Sequence, residues 1–262
     1  MSSSVLNVWE RAEEKRSAVE ASQIDLSNLL ADETQVARYL HTSADTVYPL
    51  EYAFHLLGDV HGKTVLEYGC GDGINTLLLA RRGATVKALD ISPDLIDVAG
   101  RRLAANHITS DVEFIVGSAH DIPLPDESVD VVFGIAILHH LDLALSAKEV
   151  LRVLRKGGRA IFQEPVRNSK LIKSIRSLIP YQAADVSPFE RPLTDKELAV
   201  YASDFTTSPT KAFLLPTTSL VGVLPPLRNR FLGKFHEIDA AILKRFPSLA
   251  YYATVRVIEM TK

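Results

Sequence analysis

Three glycines on alternate positions mark the segment of this chain that is best suited to ligand binding: Gly69, Gly71 and Gly73. They follow an apolar run at residues 64–68. Glycine lets the backbone turn sharply and approach a ligand that a Cβ atom would repel. One acid, Glu67, precedes the turn, and another, Asp90, ends the next apolar run, where its carboxylate can accept hydrogen bonds from both hydroxyls of a ribose. The two loops together predict a nucleoside-binding site.

The spacing of the glycines argues against a nicotinamide cofactor. The dinucleotide-binding fingerprint places its third glycine one residue further along than Gly73, and it needs no acid at Glu67. A nicotinamide-dependent dehydrogenase would still share a parallel sheet and an acid after its second strand. That alternative stays open, but it is the less favoured one.

Two adjacent histidines, His139 and His140, follow a third apolar run at residues 129–135. An imidazole is the side chain suited to taking a hydroxyl or phenol proton near neutral pH. One of them is a candidate general base, and the alternative is a role in shaping the loop. Glu164 could orient a substrate or bond to a loop amide. Cys70, inside the glycine loop, is interpreted as a small packed residue.

The elements that must position these residues alternate between short apolar runs and helical patterns. Strands are predicted at residues 64–68, 84–90, 112–116, 129–135 and 159–163, and helices between them at 75–82, 94–106 and 146–154, the last closed by Lys156-Gly157-Gly158. This alternation predicts an α/β fold with a doubly wound, mostly parallel sheet. Its ligand should lie beyond the carboxyl ends of the strands.

Both flanks of this core are expected to add helices. Residues 1–60 are predicted as a helical extension or lid, with regular spacing at 10–20 and 34–57. Residues 61–165 form the predicted core, and residues 166–262 complete the same domain. In that last part we predict a capped helix at 194–203, strands at 211–215 and 251–260, and a substrate cap in the apolar stretch 216–249 before the last strand.

Composition narrows the class of partner. The 262 residues carry a net charge of −3 and a pI near 6.2, so no overall field attracts nucleic acid, and a small molecule is favoured. A single cysteine excludes an internal disulfide and a multi-cysteine zinc site, and no metal site is predicted. No apolar run is long enough to span a membrane, and the start lacks the pattern of a secretory leader. We expect a cytoplasmic protein, and a homodimer stays open.

Further motifs extend the pattern along the chain: VGSAHDIPLPDESVDVV at 116–132, ILHHL at 137–141, EVLRVLRKGG at 149–158 and EP at 164–165. Over residues of about 60 to 165 the sequence therefore resembles the class I S-adenosylmethionine-dependent methyltransferases. It is most similar to the broad branch that includes ubiquinone and menaquinone biosynthesis enzymes and many small-molecule methyltransferases. The resemblance implies a Rossmann-like fold, S-adenosylmethionine as cofactor and S-adenosylhomocysteine as product.

The resemblance also implies which residues meet the methyl donor: Glu67, Gly69, Gly71, Gly73, Asp90, Ile91, Ser118, Ala119 and Ile135. Glu67 would orient the glycine loop, and Ile135 with Ala136 would offer a carbonyl to the methionine amino group. Ala119 would offer its amide to the adenine ring. Ser118 stands where the family usually has an aspartate, so its contact to the exocyclic adenine nitrogen would be weaker or made through the hydroxyl or water.

The implied reaction is transfer of a methyl group to an oxygen, nitrogen or carbon atom of a small, apolar or aromatic metabolite. Displacement at an activated methyl group mainly requires that the nucleophile be held in line and that water be excluded. A base, His139 or His140, is needed only if the acceptor must lose a proton. The alternative is a non-catalytic protein that binds S-adenosylmethionine or serves as a scaffold.

Overall fold

A twisted sheet of eight strands forms the centre of the computed structural model, which describes residues 3–109, 111–170, 191–208, 210–218 and 225–262. The strands are β1 (Thr64–Tyr68), β2 (Thr85–Asp90), β3 (Val112–Val116), β4 (Val129–Ile135), β5 (Leu154–Pro165), β6 (Thr206–Thr207), β7 (Lys211–Phe213) and β8 (Val255–Thr261). Their order is β3-β2-β1-β4-β5-β8-β6, and β7 also pairs with β8. The first five are parallel neighbours, whereas β8 runs antiparallel to β5.

Helices cover both faces of the sheet and extend it at the N-terminus. They are α1 (Ser3–Gln23), α2 (Glu33–Leu40), α3 (Pro49–Leu57), α4 (Ile74–Arg81), α5 (Pro93–Ala105), α6 (Leu143–Val153), α7 (Asp195–Tyr201) and α8 (Pro225–Arg245), with 3₁₀ turns at Leu138–His140 and Pro247–Tyr252. The predicted doubly wound sheet with a helical N-terminal extension is confirmed. Of the helices described, none is both long and apolar enough to cross a membrane.

The central strands are buried on both faces, which explains their continuous apolar runs. In β1, Val65 and Leu66 are both fully buried but point in opposite directions, because successive side chains of a strand alternate. Leu66 belongs to the core cluster under α6 and α7, whereas Val65 belongs to the cluster under α3 and α4. A strand sandwiched between two helical layers therefore carries mostly apolar residues.

Two predicted boundaries are wrong. The helix predicted at 146–154 does end at Val153, but the glycine pair does not close it, because β5 begins at Leu154 rather than at residue 159 and pairs there with Val129. Gly157, at φ +74°, lies within β5, where the register with β4 shifts. The helix predicted at 34–57 is two helices, because Pro49 begins α3 and the residue before a proline avoids the helical conformation.

The C-terminal elements follow the prediction closely. Thr194 caps α7 in a capping box with Glu197, β7 lies within the strand predicted at 211–215, and β8 overlaps the strand predicted at 251–260. Tyr251 and Tyr252 belong to a 3₁₀ turn rather than to β8. Helix α8 occupies much of the predicted cap, directly before that turn. The predicted cap residues Leu220, Val221, Val223 and Leu224, and the side chain of Leu227, lie outside the described residues.

Candidate active site

The glycine loop leaves the carboxyl end of β1 in left-handed backbone conformations: Gly69 at φ +79°, Gly71 at +53° and Gly73 at +81°. A Cβ on Gly69 would lie 2.8 Å from the Ile137 side chain, and one on Gly73 would lie 2.6 Å from Ala99. A Cβ on Gly71 would meet nothing within 4 Å. Gly69 and Gly71 line a cleft, whereas Gly73 packs behind the loop, where it caps α4.

Asp90 ties this loop to the next one. Its Oδ2 accepts a hydrogen bond of 2.9 Å from the Gly71 amide, and its Oδ1 accepts one of 2.9 Å from the Ser92 amide. Burial raises the pKa of Asp90 above its ordinary value, and these two bonds offset the rise only in part. The carboxylate is 9% exposed and borders the cleft beside Ile91.

Glu67 lies behind the glycine loop rather than at the cleft. Its Oε2 accepts a hydrogen bond from the Thr76 hydroxyl of α4, and in the described part of the chain its Oε1 has no hydrogen-bond partner. Burial, aided by the charges of Asp90 and Asp72, raises the pKa of Glu67 to about 8. The orienting role predicted for Glu67 stays a prediction. Among the described residues its side chain is hydrogen-bonded to Thr76, which lies in the first turn of α4.

Cys70 is not an activated nucleophile. Its side chain is 4% exposed and packs in the core cluster under α3 and α4. Burial, together with the neighbouring charges of Glu67 and Asp90, raises the pKa of the thiol well above its usual range. A thiol that stays protonated attacks poorly.

The loop after β3 forms another side of the cleft. The Gly117 amide donates to the Asp90 carbonyl over 2.9 Å, which places Ser118 and Ala119 next to the glycine loop. The Tyr68 hydroxyl donates to the Ala119 carbonyl. Ile135, at the end of β4, also lines the cleft. These loops together form what we call the inner wall.

Helix α1 lies across the cleft from the inner wall and forms what we call the outer wall. Six of its side chains line the cleft: Trp9, Glu10, Glu13, Arg16, Ser17 and Glu20. None of them was predicted from sequence as a site residue. The sequence shows only their spacing: Trp9, Glu13, Ser17 and Ala21 recur at every fourth position and include two polar residues, and the structure buries all four where a packed helix normally has apolar ones.

Glu13 joins the two walls. Its Oε2 lies 3.3 Å from Nδ1 of His140 and 3.0 Å from Nε of Arg16. Burial alone would raise the pKa of Glu13, but His140 and Arg16 outweigh it and lower the pKa to about 2. Glu13 Oε1 has no hydrogen-bond partner within the described residues. The carboxylate is therefore ionised at neutral pH and retains an acceptor.

His139 is held by Glu164, which is fully buried at the end of β5. Glu164 Oε1 accepts from the Ile137 and Leu138 amides at 2.9 and 2.8 Å, and Oε2 lies 2.9 Å from Nδ1 of His139. Because an ionised carboxylate only accepts, Nδ1 carries the proton and Nε2 keeps a lone pair. This tautomer suits a general base, with Glu164 able to stabilise the charged ring. His140 lines the cleft, whereas His139 is not one of the residues that line it.

The cleft fits a cationic nucleoside. With its open mouth it has a volume of about 930 Å³, and Leu89, Ile91 and Leu95 supply apolar contact. Four acids line it against one arginine: Glu10, Glu13, Glu20 and Asp90. The open space at Gly71 and this excess of acids are the features expected of a site that binds a positively charged ligand. No described residue of the predicted cap, 216–249, lines this cleft.

Comparisons with known proteins show what the sequence around this cleft is similar to. A family model described as a methyltransferase domain matches residues 66–162. The chain is 35% identical over 108 residues to malonyl-[acyl-carrier protein] O-methyltransferase of Serratia marcescens, covering 40% of this chain and 40% of that protein. It is 40% identical over 111 residues to fatty-acid O-methyltransferase of Mycolicibacterium smegmatis, covering 40% and 38%. The chain thus matches well under half the length of either relative.

The fold is also shared with a solved methyltransferase structure. The solved structure of geranyl diphosphate C-methyltransferase from Streptomyces coelicolor superposes with a TM-score of 0.57 at 19% identity, covering 80% of this chain and 74% of that one. At this identity the likeness shows the fold alone. The sequence match and the shared sheet cover the strands that form the inner wall. Residues 66–162 of this chain are thus similar to a methyltransferase domain, and they lie within a fold shared with a solved methyltransferase.

Proposed function

We propose that this protein transfers a methyl group from S-adenosylmethionine to a small-molecule acceptor. The observation that carries the proposal is the position of Asp90, which holds the Gly71 amide and borders an acid-lined cleft at the carboxyl ends of the strands. Ligands of open α/β sheets bind at this place in the topology. The acid lining complements the positive charge of a sulfonium donor.

The inner wall supplies the contacts to the donor. Gly69 and Gly71 admit the methionine portion, and Asp90 accepts from the ribose hydroxyls. Ile91 packs against the adenine ring, the Ala119 amide meets its edge, and Ile135 offers its carbonyl to the amino group. Glu67 and Gly73 support the loop from behind. When bound, the donor supplies an already activated methyl group.

His139 serves as the base when the acceptor must lose a proton. Its Nε2 takes that proton, while Glu164 holds Nδ1 over 2.9 Å and stabilises the resulting imidazolium. His140 borders the cleft and is paired with Glu13, so it positions the outer wall rather than acting as a second base. The relatives include O- and N-methyltransferases, which supports an acceptor methylated at oxygen or nitrogen, and carbon stays a prediction from the sequence.

Several expectations from the sequence remain predictions about this protein. They are an apolar or aromatic acceptor, a cap role for α8, the three-part division of the chain, a cytoplasmic location, the absence of nucleic-acid binding and a homodimer. Helix α8 packs against β7 and the neighbouring 3₁₀ turn. A cap role would therefore require its acceptor contacts to lie beyond the cleft described above.

The test is a screen of candidate metabolites with the purified protein and S-adenosylmethionine, with mass spectrometry detecting the gain of one methyl group. We expect one acceptor class to gain a methyl group together with formation of S-adenosylhomocysteine. The Asp90→Ala variant should lose this activity at limiting donor. Tight binding of S-adenosylhomocysteine without methylation of any acceptor would instead indicate a non-catalytic binding protein.

A further inference from the structure

We propose that Glu10 of α1 takes the place of the family aspartate that is missing at Ser118, and that its carboxylate recognises the exocyclic amino group of the donor's purine. This inference rests on the proposed function, since it assigns one more residue to the same donor site. It makes α1 a part of the specificity of that site rather than only its cover.

The Glu10 carboxylate is fixed at one oxygen by two donors from the inner wall. The Ser118 hydroxyl donates to Oε1, and Nδ1 of His120 lies 3.0 Å from the same oxygen. The Asp142 amide donates to Nε2 of His120 over 2.9 Å, so the ring proton must be on Nδ1 and points at Glu10. Ser118 Oγ also accepts from the His120 amide at 3.0 Å.

This network places a carboxylate beside residue 118 without an acid at that position. Both bonds to Glu10 use Oε1, and Oε2 takes part in neither. The side chain is 22% exposed and lines the cleft together with Ser118 and Ala119. An aspartate at 118 would set two carboxylates against each other, which costs energy unless one is protonated. A serine there, by contrast, donates to Glu10 and holds it.

The chemistry of a carboxylate determines which purine it favours. An ionised carboxylate has no proton to donate, so it accepts from the amino group of adenine and repels the carbonyl oxygen of hypoxanthine. A buried polar contact of this kind discriminates well, because the wrong ligand leaves the acceptor unpaired. Glu10 should therefore affect the choice between the two purines more than the overall affinity.

The experiment compares two ligands, S-adenosylhomocysteine and S-inosylhomocysteine, by titration calorimetry with the full chain. For the wild type we expect preference for the adenosyl ligand. Glu10→Gln should lower that preference by about tenfold, the value of one hydrogen bond to a charged group. Glu14→Gln, which removes the same charge from an exposed position of α1, should leave the preference unchanged.

A rescue variant separates recognition from folding. Glu10→Ala with Ser118→Asp carries the carboxylate on the inner wall instead, and it should regain the adenosyl preference that Glu10→Ala loses. Equal weakening of both ligands in Glu10→Gln, or no rescue in the double variant, would overturn the inference and leave α1 as a cover. Failure of the wild type to bind either ligand would overturn the proposed function and this inference with it.

Discussion

The two walls of the cleft are built from different interactions. The inner wall is held by short-range hydrogen bonds between consecutive loops, such as those from the Gly71 and Gly117 amides to Asp90, each 2.9 Å. The outer wall is held by ionisable side chains of α1, with Glu10 on His120 and Glu13 on His140. The inner wall is thus part of the sheet, whereas the outer wall depends on charges.

Because the carboxyls at the two walls have pKa values shifted in opposite directions, their contributions to stability should depend on pH in opposite ways. Behind the inner wall, burial raises the pKa of Glu67 to about 8. On the outer wall, His140 and Arg16 overcome the effect of burial and lower the pKa of Glu13 to about 2. A carboxyl with a raised pKa destabilises the fold as pH rises, and one with a lowered pKa does so as pH falls.

The largest expected effect concerns the chemistry between the walls. His139→Ala should lower kcat by about 100- to 10,000-fold for an acceptor that must lose a proton, because the base is gone. Binding of S-adenosylhomocysteine should stay unchanged, since His139 does not line the cleft proposed for the donor. Steady-state kinetics and calorimetry measure the two effects. His41→Ala, an exposed histidine on α2's C-terminal side, is the control, and an unchanged kcat in His139→Ala would remove the base assignment.

The next largest effect is the loss of ligand affinity expected when Asp90, which ties the inner wall together, is replaced. Asp90→Ala removes the acceptor for two backbone amides and for the ribose, so we expect the affinity for S-adenosylhomocysteine to fall by about 100-fold. Calorimetry measures the affinity directly. Asp94→Ala, an exposed acid at the start of α5, should bind as the wild type does. Equal affinities in wild type and Asp90→Ala would contradict the role of the inner wall.

Glu67 tests the pH response of the inner wall. Its folded pKa of about 8 lies above the ordinary value of 4.5, so its stabilising protonated form is fully present below pH 4.5 and is lost as pH rises through 8. The wild type should therefore lose stability between pH 5 and 9 relative to Glu67→Gln, by on the order of 3 kcal/mol. Denaturant unfolding at several pH values measures this. Parallel pH profiles of the two proteins would refute it.

Replacement of Glu13 should give the smallest change in stability, and its pH dependence should be opposite to that expected for Glu67. Its folded pKa of about 2 lies below 4.5, so the stability it contributes is present above pH 4.5 and is lost as pH falls toward 2. Glu13→Gln should lack that loss, and the difference should be about 1 kcal/mol after allowance for solvent screening. Thermal unfolding between pH 2.5 and 6 would detect it, and a stability difference between wild type and variant that does not shrink as pH falls would contradict the pairing.

The glycine loop was predictable because its residues directly follow one strand in the sequence, whereas Ser118, Ala119 and Ile135 were expected only from the family resemblance. The glycines, Asp90 and the capping box at Thr194 each follow a local pattern that one strand or one turn imposes. The glycine pair at 157–158 misled the prediction, because its place inside β5 depends on the register with β4, which no local pattern encodes.

The outer wall was not predictable in the same way. Glu10 meets Ser118 and His120 across 108 and 110 residues of chain, and the helical spacing of α1 does not determine where the helix will lie. What the sequence does contain is the pair of polar residues, Glu13 and Ser17, in the buried stripe of α1. Such a stripe indicates that a helix covers a polar site rather than an apolar core.

The most direct test of the two-walled site is a crystal structure of the protein with S-adenosylhomocysteine. We predict that the ligand lies between α1 and the glycine loop, with its ribose hydroxyls on Asp90 and its purine amino nitrogen within about 3.2 Å of a Glu10 oxygen. A ligand bound outside this cleft, or bound there with α1 displaced and the amino group turned to solvent, would contradict the account.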